Sequence, residues 1–421
     1  MTHRILTISH AHPDFSLGGG EIAAYNLHKA YQAHPAVAQA FFLARHGTTE
    51  PPTGRISIRR ENEFLWDQSL SNIFMGRAAK PDGTLEDFAN LLRALQPTVV
   101  HAHHYWPMGL EYFQIIRTQF PEIKLVLTLH EFLAVCYNNG QMVKPVTNRL
   151  CFRETPADCH RCFPDIPAQD FWLRKHRYQS YFSAIDHFVA PSDFLRQRYM
   201  DWGIAPEKIV TIENGQSPAP PLAPRPLSDG QTRNRFGFFG QINPYKGVSL
   251  LLQGLAMLKK SERRNIVLEV QGANLEGQSA EFQQMIAELR TPLETEGCLQ
   301  WIGPYEPFQM ASRMAGIDWV VIPSIWWENS PMVIQEAFAL GRPLVGSDIG
   351  GMAEKITDGV DGVHVPVGNA RAWGDALLRL SRFTTEWDRL REGITPPLSH
   401  TGCAEAHLEL VRASVKGKAA K

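Results

Sequence analysis

The sequence predicts an α/β chain of two doubly wound parallel-sheet domains facing a cleft. Three observations carry this expectation. The 421 residues exceed what one ordinary core organises. Short β-branched or aromatic runs alternate with helical stretches in both halves, the pattern of right-handed crossovers between parallel strands. At mid-chain, Pro218, Pro220, Pro221, Pro224 and Pro226 crowd a segment that can hold neither a helix nor a central strand.

In the first domain, residues 1–215, the strand-like runs are 4–9, 40–44, 99–103, 125–130, 188–192 and 209–213. Helical stretches fit at 21–31, 85–95, 109–118, 171–184 and 194–200. Residues 131–168 lack a clean period and read as an irregular insertion. The Pro-rich linker spans 216–234. The second domain, 235–382, alternates more regularly, with strands at 235–240, 266–272, 299–303, 319–324, 343–347 and 363–367. Its helices fit at 248–259, 281–289, 307–314, 331–340 and 370–380. These strands are nearly continuous apolar runs, as expected where both sheet faces are covered. Residues 383–421 are expected to form helices that pack back on the N-terminal domain, with the tail 417–421 frayed.

Composition narrows the function. Apolar residues at 44% and charged residues at 20% suit a soluble globular enzyme. A net charge of -1 argues against a nucleic-acid binder. No apolar run approaches a membrane span, and the first residues read as a strand, not a signal peptide, so a cytoplasmic location is expected. The six cysteines are too sparse for a disulfide framework.

The segment from Pro323 to Pro343 concentrates the chemistry. Ser330 reads as an N-cap, Pro331 as the first helical residue and Gly341 as the stop. A helix mouth at the carboxyl end of a parallel strand favours an anion by about 0.3–1 kcal/mol. Glu328 lies before this helix and Glu336 within it, where each carboxylate can accept hydrogen bonds from the vicinal hydroxyls of sugars or riboses. The competing reading makes Glu336 a helix acid paired with a base and Glu328 a solvated loop acid.

In the first half, Gly18, Gly19, Gly20 and Glu21 follow the first strand and open a helix. Glycine lets backbone approach a ligand closely. The spacing is not Gly-x-Gly-x-x-Gly, which argues against a nicotinamide dehydrogenase. His103 and His130 each close a strand, and their structural and functional readings stand level.

The Glu-x7-Glu spacing of Glu328 and Glu336, followed by Ala-x3-Gly-x-Pro-x-Val, resembles the signature of retaining family 4 glycosyltransferases. The segment from Gly237 to Gly247, with Gly240, Lys246 and Gly247, is similar to that family's strand, phosphate-binding turn and Lys-Gly pair. The run from Asp348 to Glu354 resembles its Gly-Gly-x-x-Glu turn, and Ala190-Pro191-Ser192 with Glu213-Asn214-Gly215 its exit from the N-terminal domain. The resemblance implies the GT-B fold, with two Rossmann-like domains facing a cleft. It implies a nucleotide-sugar donor (UDP-, GDP- or ADP-sugar) and a glycan or lipid-linked acceptor. Glu336 would hold the ribose and Glu328 the transferred sugar. Gly240, Gln241 and the amides around Asn329, Ser330, Met332 and Val333 would meet the sugar or diphosphate. Lys246 would neutralise the diphosphate as it leaves. Gly19 and Gly20 would approach the donor phosphate, Glu21 and His103 the acceptor, and His130 the reacting centre. Where this chain has Gln241, the family usually has an arginine. No Asp-x-Asp pair occurs, so no catalytic metal is expected.

Alternatives sharing the fold are a sugar phosphorylase, an epimerase and a non-catalytic binding scaffold. Inorganic phosphate as co-substrate would mark the first. Gln241 favours the last, whereas Glu328, Glu336 and Lys246 together argue against it.

Two features lie outside this scheme. Cys136, Cys151, Cys159 and Cys162 cluster in the insertion, and Cys159-His160-Arg161-Cys162 has zinc-ligand spacing. A structural zinc and unligated thiols are the two readings. Residues 171–178, Phe-Trp-Leu-Arg-Lys-His-Arg-Tyr, read as a solvated helix with buried aromatics, or as a peripheral contact with anionic lipid on the inner membrane face.

Overall fold

The computed structural model describes residues 2–16, 18–47, 54–79 and 81–419. The chain divides into two units, Met1–Gly215 with Leu398–Lys421, and Gln216–Pro397. Both are α/β and built on parallel sheets.

The first unit carries β1 (His3–Ser9), β2 (Val37–Arg45), β3 (Ile56–Arg60), β4 (Glu63–Trp66), β5 (Leu70–Asn72), β6 (Arg77–Ala78), β7 (Val99–Ala102), β8 (Lys124–Thr128), β9 (His187–Ala190) and β10 (Ile209–Thr211). Its main sheet has the order β10-β9-β8-β7-β1-β2-β4-β3. All neighbours are parallel except β3 with β4. The order reverses around β1, so β1 and β7 are adjacent central strands. Their carboxyl ends, with that of β8, form the crevice edge where such sheets bind ligands.

The short pairs β3–β4 and β5–β6 are absent from the sequence expectation. β3 sits at the sheet edge, and most of its residues are exposed, so no alternation marks it. The insertion contains one short helix, Pro156–Cys162.

The second unit carries β11 (Arg235–Phe239), β12 (Val267–Gln271), β13 (Leu299–Trp301), β14 (Trp319–Ile322), β15 (Leu344–Ser347) and β16 (Gly362–Val365). The order is β13-β12-β11-β14-β15-β16, parallel throughout. Its helices Val248–Met257 and Ala370–Leu380 meet at two glycines: a Cβ on Gly254 would lie 2.6 Å from Ala370 O, so only glycine permits this approach. Helix Ala280–Thr295 runs past the expected end at 289, carrying Pro292 inside it.

Two segments depart from the sequence expectation, and a third does so only at its end. The Pro-rich stretch 216–234 packs on the second unit instead of spanning free. Arg342, fully buried, donates to Leu222 O and Ala223 O, and Leu222 N donates to Leu340 O. Buried Asp318 receives Arg225 at 2.8 Å and Arg233 at 3.2 Å. Helix Thr384–Glu392 stays with the second unit, because Trp387 and Leu390 share one apolar core with Trp373 and Leu377. The last helix, His400–Ala419, joins the first unit, placing Cys403, Ala404 and Leu408 with Ile5, Leu27 and Tyr31. It continues through Gly417, where fraying was expected; residues 420–421 lie outside the described ones.

Candidate active site residues

In the second unit, β14 ends at Ile322, and the loop beyond it leads to helix Met332–Ala339. Pro331, with φ -60 and ψ 120, occupies the cap position, one residue later than the expected Ser330 cap. The proline ring fixes φ but offers no side-chain acceptor, so the first turn keeps its amides for another partner. Met332 and Val333 form that turn. Ser330 Oγ is buried without a hydrogen-bond partner in the protein.

Glu328 is 7% exposed. Its Oε1 receives Lys246 Nζ at 2.6 Å, Ser324 Oγ at 2.8 Å and Trp326 Nε1 at 2.9 Å. Burial pushes the carboxyl up, but the Lys246 charge and these three hydrogen bonds outweigh it and hold it below its ordinary range. It is therefore a paired anion, not the solvated loop acid of the competing reading. The Gly-Gly turn supports this loop: Gly351 N donates to Glu328 O at 2.7 Å, and a Cβ on Gly351 would overlap Asn329 O.

Lys246 ends a 3-10 turn, Pro244–Lys246, capped by Asn243 Oδ1, which accepts from Tyr245 N at 3.0 Å and Lys246 N at 3.1 Å. Gly247 follows at φ 73, and a Cβ there would overlap Pro323 O. The Lys-Gly pair thus brings the turn against the start of the loop that follows β14. Gly240, at φ 145, directly follows β11. Gln241 beside it is exposed.

Glu336 lies within helix Met332–Ala339 and is half-buried. Burial alone pushes its carboxyl up to about 7. Among the described residues no base is paired with it, contrary to the competing reading. Its charge adds to the burial that raises the Tyr305 phenol, which places Tyr305 nearby.

In the first unit, Gly19 and Gly20 open helix Gly19–Gln32. A Cβ on Gly20 would lie 2.7 Å from His104 Nε2, so a side chain here would collide with the crevice histidines. Glu21, in the first turn, accepts from Ser16 Oγ at 2.5 Å and meets His10 Nε2 at 3.1 Å. Burial opposes ionisation, yet these bonds, those from His10 foremost, bring the carboxyl down to about 2. His103 Nδ1 lies 2.9 Å from His130 Nε2, with the rings stacked. Burial brings His130 down to about 4 and keeps His103 well below its ordinary value, so both are neutral near pH 7.

His10, Ser324 and His104 went unnoticed as site residues in the sequence. His104 had a signal, since it follows His103; Ser324 and His10 had none. Among the described residues, His10, Glu21 and His104 form the group able to converge on a metal ion, with ligand atoms within 4.8 Å of one another.

The basic-aromatic stretch lies in helix Ala168–Phe182. Arg174 is buried and donates to Phe74 O, Ala134 O and Leu133 O, so it is withdrawn from any lipid surface; Trp172 and Leu173 are exposed. Among the described residues, no helix is long and apolar enough to cross a membrane.

The sequence profile described as Glycosyltransferase Family 4 matches residues 17–219, and that described as Glycosyl transferases group 1 matches 224–392. The chain is 26% identical over 251 residues to the lipopolysaccharide 1,2-N-acetylglucosaminetransferase of Salmonella typhimurium, covering 57% of this chain and 61% of that protein. It is 24% identical over 314 residues to the D-inositol 3-phosphate glycosyltransferase of a Nocardioides species, covering 70% and 62% respectively. These matches span under two thirds of the relatives' own lengths. Among solved structures, a glycosyltransferase from Rickettsia africae aligns over 99% of both chains at TM-score 0.66 and 17% identity. Anabaena HepE, solved with UDP-glucose, aligns over 98% of this chain and 100% of its own at TM-score 0.63 and 14% identity. These two likenesses concern the fold.

Proposed function

The chain belongs to the GT-B glycosyltransferases of the family 4 type, and from that premise we propose that it moves a sugar from a nucleoside diphosphate sugar to an acceptor with retention at the anomeric carbon. The acceptor class is a glycan or lipid-linked saccharide of cell-surface or exopolysaccharide synthesis. The lipopolysaccharide N-acetylglucosaminetransferase relative supports that class, and HepE, solved with UDP and UDP-glucose, supports the donor class.

The observation carrying the reading is the Lys246–Glu328 pair beside the mouth of helix Met332–Ala339. A departing nucleoside diphosphate gains negative charge. Lys246 and the unclaimed first-turn amides at Met332 and Val333 supply positive potential for it. When Lys246 turns to the diphosphate, the Glu328 carboxylate, still held by Ser324 and Trp326, accepts from hydroxyls of the transferred sugar. Glu336 accepts the ribose hydroxyls, which give a buried carboxylate the hydrogen bonds it otherwise lacks. Asn329, Ser330, Gly240 and Gln241 line the donor side, with Gln241 lending an amide and no charge. For the first unit, the family resemblance gives the roles: Gly19 and Gly20 for the donor phosphate, neutral His130 for the reacting centre, and Glu21 and His103 for the acceptor. The step needs no catalytic metal, in keeping with the lack of an Asp-x-Asp pair.

Thermal-shift screening with UDP-, GDP- and ADP-sugars tests this. The true donor stabilises the protein, because ligand bound to the native state alone adds stability. Glu336→Ala abolishes that shift; an unchanged shift removes Glu336 from the site. The non-catalytic scaffold, which exposed Gln241 favours, predicts a donor shift without transfer to any acceptor.

A further inference from the structure

We propose that Cys136, Cys151, Cys159 and Cys162 together bind one zinc ion that organises the insertion of the first unit. This site is structural and independent of glycosyl transfer.

The first argument is how little core the segment has. Between Val143 and Phe171 no residue is buried, and its apolar packing runs through half-buried Phe163 against Tyr137 and Phe171. Lys144 N donates to Arg149 O, and Val143 and Leu150 form an antiparallel bridge. Helix Pro156–Cys162 is capped by Thr155, whose hydroxyl accepts from Asp158 N at 3.1 Å, but it buries no side chain. A chain segment this poor in apolar burial needs another cross-link to offset its ordering entropy.

The second argument is convergence. The thiols come from three separate stretches. Cys136 N donates to Phe132 O at 2.7 Å, closing one turn. Cys151 leaves the Val143–Leu150 bridge with its N–H on Met142 O at 2.7 Å. Cys159 and Cys162 stand one turn apart on one helix face. The other three sulfurs are all close enough to Cys159 to act on it electrostatically, and Cys136 and Cys151 act on one another. None of the four is in a disulfide.

All-sulfur tetrahedral coordination suits zinc, with iron as the other ion that elemental analysis distinguishes, and the four thiols release their protons to solvent as the Zn–S bonds form. No three of the four sulfurs lie within 4.8 Å of one another, so ligation requires side-chain rotation toward a shared centre. It also requires the Cys151 thiol to give up its bond to Arg153 O at 3.4 Å.

The test is elemental analysis of the full chain, purified under reducing conditions with zinc supplied. About one zinc per chain is expected, falling about tenfold in Cys159→Ser and in Cys162→Ser. His10→Ala should leave the zinc content unchanged, which separates this site from the His10, Glu21 and His104 group. Zinc retained in both cysteine variants, or lost in His10→Ala alone, overturns the proposal. So does an absence of zinc from the reduced wild type, or mass evidence that these thiols are paired as disulfides. Should the variants fail to fold, cobalt substitution of the wild type decides: thiolate-to-cobalt charge-transfer absorption supports the site, and its absence sinks it.

Discussion

Lys246 Nζ and Glu328 Oε1 lie 2.6 Å apart, although the residues are 82 positions apart in the chain. Gly247 makes the meeting possible, since a Cβ there would overlap the Pro323 carbonyl. The pair sets the electrostatics at this helix mouth: a buried anion held in place by a cation, which under the proposed function exchanges it for a phosphate.

Truncating Lys246 should therefore act twice. Lys246→Ala leaves the Glu328 carboxylate buried and short of its cation, at a cost of about 1–3 kcal/mol in stability. Under the proposed function it also removes the charge meant for the leaving group, lowering kcat by about 10²–10³. Glu328→Gln keeps the shape and should lower kcat with less loss of stability. Steady-state kinetics and thermal unfolding of both variants check this; a Lys246→Ala enzyme with wild-type kcat removes its role.

Glu336 predicts a pH dependence of donor binding. Its carboxyl ordinarily titrates near 4.5 and is raised by burial to about 7. The native state therefore holds a proton that the unfolded chain has released, and this contribution to stability declines as pH rises from 4.5 to 7. In the proposed role, Glu336 accepts donor hydroxyls in its ionised form. Affinity should weaken by up to about tenfold for each pH unit below 7 and should lose that dependence in Glu336→Gln. Isothermal titration across pH 5–8 measures it.

Histidines give the first unit the opposite slope. His28, His130 and His407 are each brought down to about 4 by burial. Below 6.5 the unfolded chain binds protons that these rings refuse, so stability falls as pH drops from 6.5 towards 4. Glu131, raised by burial to about 7, opposes them singly. Both ring nitrogens of His28 are buried without partners, and the ring sits among Tyr25 and Phe42. His28→Phe should flatten the slope and stabilise the protein at pH 5, as read by scanning calorimetry.

Asp318 anchors the Pro-rich segment. It is fully buried, bridging Arg225 and Arg233 and accepting from Arg235 N at 3.1 Å. Asp318→Ala strands two guanidinium groups and should cost about 3–5 kcal/mol. Hydrogen exchange should then show faster opening of 216–234. Unchanged protection there would mean that the prolines hold the segment alone.

Read alone, the sequence determined the strand and helix alternation, the α/β class, the family and the acidic pair flanking one helix start. All of these are written in local periodicity, turn residues and short spacings, which survive without knowledge of neighbours. The β3–β4 pair escaped because an exposed edge strand shows no alternation, and Ser330 misled because Pro331 itself takes the cap position. Only the tertiary structure decided that Ser324, Trp326 and Lys246 share one oxygen of Glu328, that His103 meets His130, and that Glu336 stands without a base. It also decided that helix Thr384–Glu392 and the Pro-rich stretch belong to the second unit. Those outcomes depend on strand order and on which side chains lose water together. Burial and pairing arise between distant parts of the chain, and no local pattern encodes them.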